Sequence, residues 1–342
     1  MPKLTEDQLL LAESATEVLS AEAGPVRFRH LRDEGEQTDT ALWSQLTELG
    51  WPAIPFPEDQ GGMGWGLPEV AVVMEALGHH LAMTPMLSTV LAGTLAPQAD
   101  GAAGEVIALA WQEGRTDWGV TLGDCQAQVS DGRLSGTKHR VLDAGAAQAF
   151  VVLAQSADGP GLFWVQAADA QIQPLQRMDR RDCADVHFEQ APATPMDATM
   201  DQLQQAIDHA TVALSAEMLG GAQAALDMTT AYLKEREQFG VPIGSFQALQ
   251  HRIVDCYIAL ELARAAVHGA ARSPTQALVS LAKAQCNDAY FLIANEAVQM
   301  HGGIGMTDEH DIGFHMKRAR VMAQTLGTSA QHRDRWARVH GY

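Results

Sequence analysis

The side chains best suited to holding an anion fall in one stretch, REQFGVPIGSFQALQ, from Arg236 to Gln250. Arg236 can grip a phosphate through two parallel hydrogen bonds, and Gln238, Ser245 and Gln247 add neutral donors. The stretch interrupts one helical pattern at Gly240, Pro242 and Gly244 and then begins another. Upstream, Ile207, Ala210, Leu214, Met218, Ala222, Ala225, Tyr232 and Leu233 recur at three- and four-residue spacing. Downstream, Leu249, Ile253, Cys256, Leu260 and Ala263 do the same from Phe246 onward. The stretch is therefore a corner between two helices. The backbone N–H groups that open the second helix favour an anion as well. A polar turn with a solvated arginine would carry the same residues.

A second stretch, QMHGGIGMTDEH from Gln299 to His310, closes a long apolar-rich helix that runs from Thr275 to Met300. Gly302, Gly303 and Gly305 let a backbone approach a ligand closely, although glycine also commonly stops helices. Taken together, the two stretches are more specific. RxQFGxPIxxFQ, from Arg236 to Gln247, resembles the flavin-contacting motif of the acyl-CoA dehydrogenase family, and QxxGGxG resembles that family's second flavin segment. The resemblance implies that Arg236, Gln238, Phe239, Phe246, Gln247, Gln299, Gly302 and Gly303 grip the adenosine diphosphate end of an FAD bound mainly by a neighbouring subunit. It also implies the family reaction, removal of two hydrogens from adjacent carbons of an acyl-CoA thioester. In that reaction a glutamate takes the α proton and the flavin takes the β hydride. Electrons then pass to an electron-transfer flavoprotein or a similar acceptor.

The elements that must position these residues are legible in chain order. Thr5 before Leu9 and Leu10 reads as a helix cap, Thr38 to Leu49 as a short helix, and Pro68 to His79 as another. Between the last two, PFPEDQGGMGWGLPE packs glycine and proline into a loop. From about Gly104 to Thr194 the period shortens. Val106–Trp111, Gln126–Val129, Phe150–Ala154, Leu162–Val165 and Val186–Phe188 are strand-like runs, with turns at Asp131-Gly132 and Asp158-Gly159-Pro160. The final third returns to helices. The expected fold is α+β and similar to that of the acyl-CoA dehydrogenases. A helical domain over 1–103 precedes a small antiparallel β domain over 104–197 and a four-helix bundle over 198–342.

Two parts of the family pattern are missing. Family members usually carry the base in an EGT tripeptide, where this chain reads TLGTSAQHR with Leu326 in the glutamate position. A minority carry it on the helix before the corner, at a position that aligns with Ala210. Neither side chain accepts a proton, so no catalytic residue is expected. Asp208 and His209 lie near Ala210, but successive helical residues point about 100° apart. The ring-contacting segments also depart. WQEGRTDWG, Trp111 to Gly119, replaces a TExxAGSD-like loop. GTKHRVLDAG has Arg140 and Leu142 where a GxKxWITN-like strand has Trp and Thr. The split resembles the glutamate-lacking chain of heteromeric α2β2 acyl-CoA dehydrogenases of bacterial steroid side-chain degradation. It implies a glutamate-bearing homologous partner. Two alternatives stay open: a homomeric enzyme with a displaced base, Asp208 being the candidate, and a flavin-free scaffold.

Composition sets the outer bounds. The chain has 342 residues, 46% of them hydrophobic, and a formal net charge of −19. That charge argues against nonspecific nucleic-acid binding and against an anionic membrane surface. No apolar run approaches the roughly 18 residues that span a bilayer, and the start has no basic and then apolar leader, so a cytoplasmic location is expected. Cys125, Cys183, Cys256 and Cys286 form no CxxC pair, and His301, His310 and His315 lack ligand spacing, so no metal is expected. Trp43, Trp51 and Trp65 read as packing residues. Met300, Met306, Met316 and Met322 read as gap fillers, and Lys317, Arg318 and Arg320 as a solvated basic face.

Overall fold

The structure is a computed structural model that describes residues 4–56, 58, 61–93, 95–96, 104–114 and 125–342. Its helices are α1 (Glu6–Glu22), α2 (Pro25–Glu34), α3 (Thr40–Glu48), α4 (Leu67–His79) and α5 (Met86–Gly93), then α6 (Met200–Glu235), α7 (Gln247–Arg272), α8 (Gln276–His301), α9 (Ile312–Met322) and α10 (Ser329–Val339). The strands are β1 (Ile107–Ala110), β2 (Gln128–Ser130), β3 (Arg133–Leu142), β4 (Ala149–Ser156), β5 (Gly159–Gln166), β6 (Ala170–Pro174), β7 (Cys183–Pro192), β8 (Thr194–Pro195), β9 (Glu237–Gln238) and β10 (Val241–Pro242). Contacts divide the chain into two units. One comprises Met1–Arg29, Ala71–Ala82 and Val212–Tyr342, and the other His30–Val70 and Met83–Thr211.

In the helical unit, Thr5 caps α1 through a capping box with Gln8, and Thr275 and Thr328 cap α8 and α10. The apolar stripe of α6 faces inward as its spacing predicts, with Leu214, Met218, Ala222, Ala225 and Leu233 all buried. Where α4 meets α6, a Cβ on Gly78 would strike the carbonyl of Glu217, and one on Gly220 would strike the carbonyl of Glu75. Only glycine permits this approach. Glu75 of α4 also pairs with Arg264 of α7, whose guanidinium donates to Gln223 of α6 at 2.8 Å. Helix α7 packs along α8, joined by Arg252 and Glu296, and α8 carries α9 and α10. Arg318 is buried and pairs with Glu217 at 3.4 Å, which corrects its expected place on a solvated face. Lys317 and Arg320 remain at least partly accessible.

The second unit holds a sheet ordered β6-β7-β3-β2-β4-β5-β8, with β1 on β4. The expected antiparallel arrangement holds for most pairs. However, β1 runs parallel to β4 (Ile107 to Ala110 against Ala149 to Val152), and Gln128 of β2 pairs in parallel with Gln155. The sheet is therefore mixed. Asp131 and Gly132 both take positive φ and make the tight β2–β3 turn. One face buries Phe150, Val152, Val165, Val186 and Phe188, each worth about 1.5–3 kcal/mol of burial. Strands β6 and β8 fall outside the runs named from the sequence: β6, AQIQP, alternates but carries Ile172 as its one large aliphatic side chain, and β8 is two residues long. Trp51 is buried and Trp65 is 41% exposed, with more than half of its surface covered; Met306 of the helical unit is 75% exposed.

Candidate functional site

The last turn of α6 gives way to a two-strand hairpin. The Arg236 N–H donates to the Tyr232 carbonyl at 2.9 Å, and the Arg236 carbonyl accepts from Ile243 at 2.8 Å. Strands β9 and β10 pair Gln238 with Val241, and the turn between them places Phe239 at φ 57° and Gly240 at φ 79°. Both angles suit a type I′ turn, but a phenylalanine there is strained, a signature met at binding sites. The residue is 92% exposed, with its ring edge-on to Phe246 at a centroid distance of 6.1 Å. Gly244 is required, since a Cβ there would press on the Leu233 carbonyl at 2.7 Å.

Of the donors expected at the corner, Arg236, Gln238 and Gln247 are accessible, whereas the Ser245 hydroxyl donates to the Pro242 carbonyl at 2.7 Å. Arg236 and Gln247 are exposed and their side chains meet no hydrogen-bond or ionic partner among the described residues. Gln238 donates only to the adjacent Glu237 carbonyl, at 2.8 Å. Phe246 is the N-cap of α7 and offers no side-chain acceptor, so the first N–H groups of that helix stay open to an anion.

The glycine-rich turn lies at the same end of this unit. Gln299 is exposed and likewise unpartnered among the described residues. Gly302 adopts φ 65°, ψ −140°, a conformation closed to other residues, and a Cβ on Gly303 would meet nothing within 4 Å. The backbone here is bare. His301 is only 3% exposed; its Nδ1–H donates to the Ala297 carbonyl at 2.8 Å, which leaves Nε2 a buried acceptor with no partner. Burial lowers the pKa of this imidazole, so it is neutral at pH 7. Tyr232 joins the two stretches, its ring stacked on His301 with centroids 4.4 Å apart. The eight residues named from the sequence thus fall on two neighbouring segments that present unpaired donors and bare backbone. That chemistry fits the diphosphate end of a dinucleotide.

The positions expected from the resemblance to contact a flavin ring carry side chains engaged elsewhere. Arg140 sits at φ 54°; its N–H donates to Asp185 at 3.0 Å and its guanidinium to the Gly114 carbonyl at 2.6 Å, binding the segment after Trp111 to the sheet. Lys138 is fully enclosed and pairs with Glu113 at 2.5 Å. Burial opposes ionisation of Glu113, but the Lys138 bond and the N–H groups of Ala127 and Gln126 outweigh it and hold the carboxyl below its usual range. Leu142 is buried. Residues 115–119 of the replaced loop lie outside the described residues.

Leu326 and Ala210 stand at the two positions where the resemblance would put the base, and neither is a carboxylate. Leu326 is 2% exposed at φ 54°, its carbonyl accepting from His332 Nε2 at 2.8 Å. Ala210 is fully buried, and Asp208 accepts from Gln204 at 3.3 Å. Among the described residues there is no group of side chains able to hold a metal, and no helix is long and apolar enough to cross a membrane. The sequence reading missed Tyr232 and His301 as site residues. Their signal was the four-residue offset of Tyr232 from Arg236, about one helical turn, and the direct adjacency of His301 to Gly302.

Comparison with known proteins bears on this geometry. The profile described as "Acyl-CoA dehydrogenase, N-terminal domain" matches residues 5–100, and "Acyl-CoA dehydrogenase, C-terminal domain" matches residues 200–340. Acyl-CoA dehydrogenase IpdE2 of Mycolicibacterium smegmatis is 34% identical over 325 residues, covering 95% of this chain and 96% of that one. IpdE2 of Mycobacterium tuberculosis is 33% identical, covering 94% and 93%. Among solved structures, the Tcur3481-Tcur3483 steroid ACAD G363A variant superposes with a TM-score of 0.88 at 29% identity, covering 98% of each chain. The ChsE4-ChsE5 complex from Mycobacterium tuberculosis does so with a TM-score of 0.89 at 27% identity, covering 99% of each.

Proposed function

The chain belongs to the acyl-CoA dehydrogenase family, and from that premise we propose that it is the non-catalytic, FAD-clamping subunit of a heteromeric acyl-CoA dehydrogenase. The observation that carries this reading is the split within the chain. Donors for a dinucleotide's diphosphate are unpaired among the described residues at Arg236, Gln247 and Gln299. The ring-side positions are instead closed by Arg140 and Leu142, and both base positions are apolar. A glutamate-bearing homologous partner would supply the base and the ring pocket. Two of the similar solved structures are named as pairs of different chains, and one of these as a steroid ACAD. They support a two-chain assembly and a bulky acyl group such as a steroid side-chain CoA ester.

Bound flavin supplies the hydride acceptor of such a reaction. This chain's residues act at its other end. Arg236 neutralises diphosphate charge with a planar pair of donors. Gln299 and Gln247 would offer it amide N–H groups, and Gly302 and Gly303 would present backbone without a side chain in the way. An electron-transfer flavoprotein or a comparable acceptor would be the redox partner of the complex.

The test is flavin absorbance per chain, for this protein alone and co-expressed with a glutamate-bearing homologue. Flavin and a stoichiometric complex are expected only on co-expression, and Arg236→Ala should lower retained flavin at least tenfold, since a charge-assisted bond is worth about 1.5–3 kcal/mol. A lone chain that binds one flavin and oxidises an acyl-CoA would overturn the reading.

A further inference from the structure

Two segments far apart in sequence must hold one diphosphate, so something must fix their spacing. Arg236 lies at the end of α6, and Gly302 at the end of α8. A single side chain spans the gap. Tyr232 lies one helical turn before Arg236, and its carbonyl accepts the Arg236 N–H at 2.9 Å. Its hydroxyl donates to the carbonyl of His301, the residue joined to Gly302, at 3.4 Å.

The rings make the stronger link. Tyr232 stacks on His301 with centroids 4.4 Å apart and an interplanar angle of 29°. His310 closes the cluster, 4.4 Å from His301 and edge-on to Tyr232 at 6.3 Å. The His301 ring cannot swing freely, because its Nδ1–H is held by Ala297. Beyond the glycines, Arg29 donates to the Asp308 carbonyl and to Asp311, each at 2.6 Å. The turn is thus braced on its far side by Arg29 and on its near side by Tyr232. A Cβ added at Gly302 or Gly303 would meet nothing within 4 Å. An aromatic pair of this kind contributes about 0.5–1.5 kcal/mol beyond burial, whereas a 3.4 Å hydroxyl bond is weak.

We infer that Tyr232 is a positioning residue that sets the corner and the glycine-rich turn in register, so that Arg236 and the bare backbone of Gly302–Gly303 meet one diphosphate together. The inference rests on the clamp reading above. Because the ring rather than the hydroxyl carries the link, phenylalanine should replace tyrosine and alanine should not.

The experiment has two readouts. Amide hydrogen exchange is followed on the full chain without flavin, and FAD dissociation on the complex with the glutamate-bearing homologue. Tyr232→Ala should speed exchange at residues 302–305 at least tenfold without changing the middle of α7 or α8, and should weaken FAD at least tenfold. Tyr232→Phe should keep both within about threefold, a change of at most about 0.7 kcal/mol. If the alanine variant does not fold, Tyr232→Leu keeps the bulk, removes the ring and is held to the same expectation. Unchanged exchange in the ringless variant overturns the inference even if FAD is lost, since Tyr232 would then act by touching FAD itself. Faster exchange with unchanged FAD affinity overturns it as well. An intact FAD affinity in Arg236→Ala instead refutes the clamp reading, and the exchange data still judge the link between corner and turn.

Discussion

Lys283 is completely enclosed, and its ammonium faces three neutral acceptors: Asn287 Oδ1 at 2.5 Å and the carbonyls of Met322 and Gly327 at 3.0 and 3.2 Å. These bonds hold the turn that carries Leu326. Lys283→Met should therefore cost about 3 kcal/mol, read as a lowered melting midpoint, because buried acceptors lose their partners. Asp143 behaves differently. Burial, opposed by Arg181 and reinforced by Asp182, raises its pKa to about 6, and Ser88 Oγ donates to it at 2.6 Å. The folded state then binds the proton more tightly than the unfolded chain, so this group's stabilising contribution is full below about pH 4 and is lost as pH rises through about 6. Asp143→Asn should match the parent near pH 4 and exceed it by about 2 kcal/mol above pH 6.5, followed by urea titration at each pH. Arg318 shows what the sequence hides at this scale. A run of basic residues looks solvated until α9 turns Arg318 inward to a glutamate a hundred positions away.

Between elements, glycines decide two opposite outcomes. At the α4–α6 crossing the added methyl of Gly78→Ala or Gly220→Ala has only backbone to displace, and each variant should lose about 3 kcal/mol or more. Gly303→Ala has open space and should leave stability within about 0.5 kcal/mol, yet it covers the bare backbone and should weaken FAD retention in the complex. A pair of thermal melts beside a flavin assay separates the two roles. The helices that flank the corner were legible because Ile207 to Leu233 and Leu249 to Ala263 keep a strict spacing. The hairpin within the corner was not, since a two-residue strand has no period to read and rests on one positive-φ phenylalanine. The parallel pairing of β1 with β4 was hidden for a related reason: alternation shows which face is buried but says nothing of strand direction.

On the proposed reading, the positions for the base and for the ring contacts lie in segments remote in sequence, so single-residue repair should fail. Leu326→Glu places a carboxylate at a 2% exposed site and leaves Arg140 bound to Gly114. The variant should be less stable and should still show no acyl-CoA-dependent bleaching of flavin on its own. The motif that suggested a cofactor was readable because it is contiguous, while Tyr232 and His301 came together only through folding. Phe239 carries a consequence for anyone handling the protein. As a residue 92% exposed at the tip of a hairpin, it is a ready place for an optical reporter. An indole introduced as Phe239→Trp would fluoresce at the long wavelength of a hydrated ring in the lone chain, and would shift to the blue as soon as another surface closed over it.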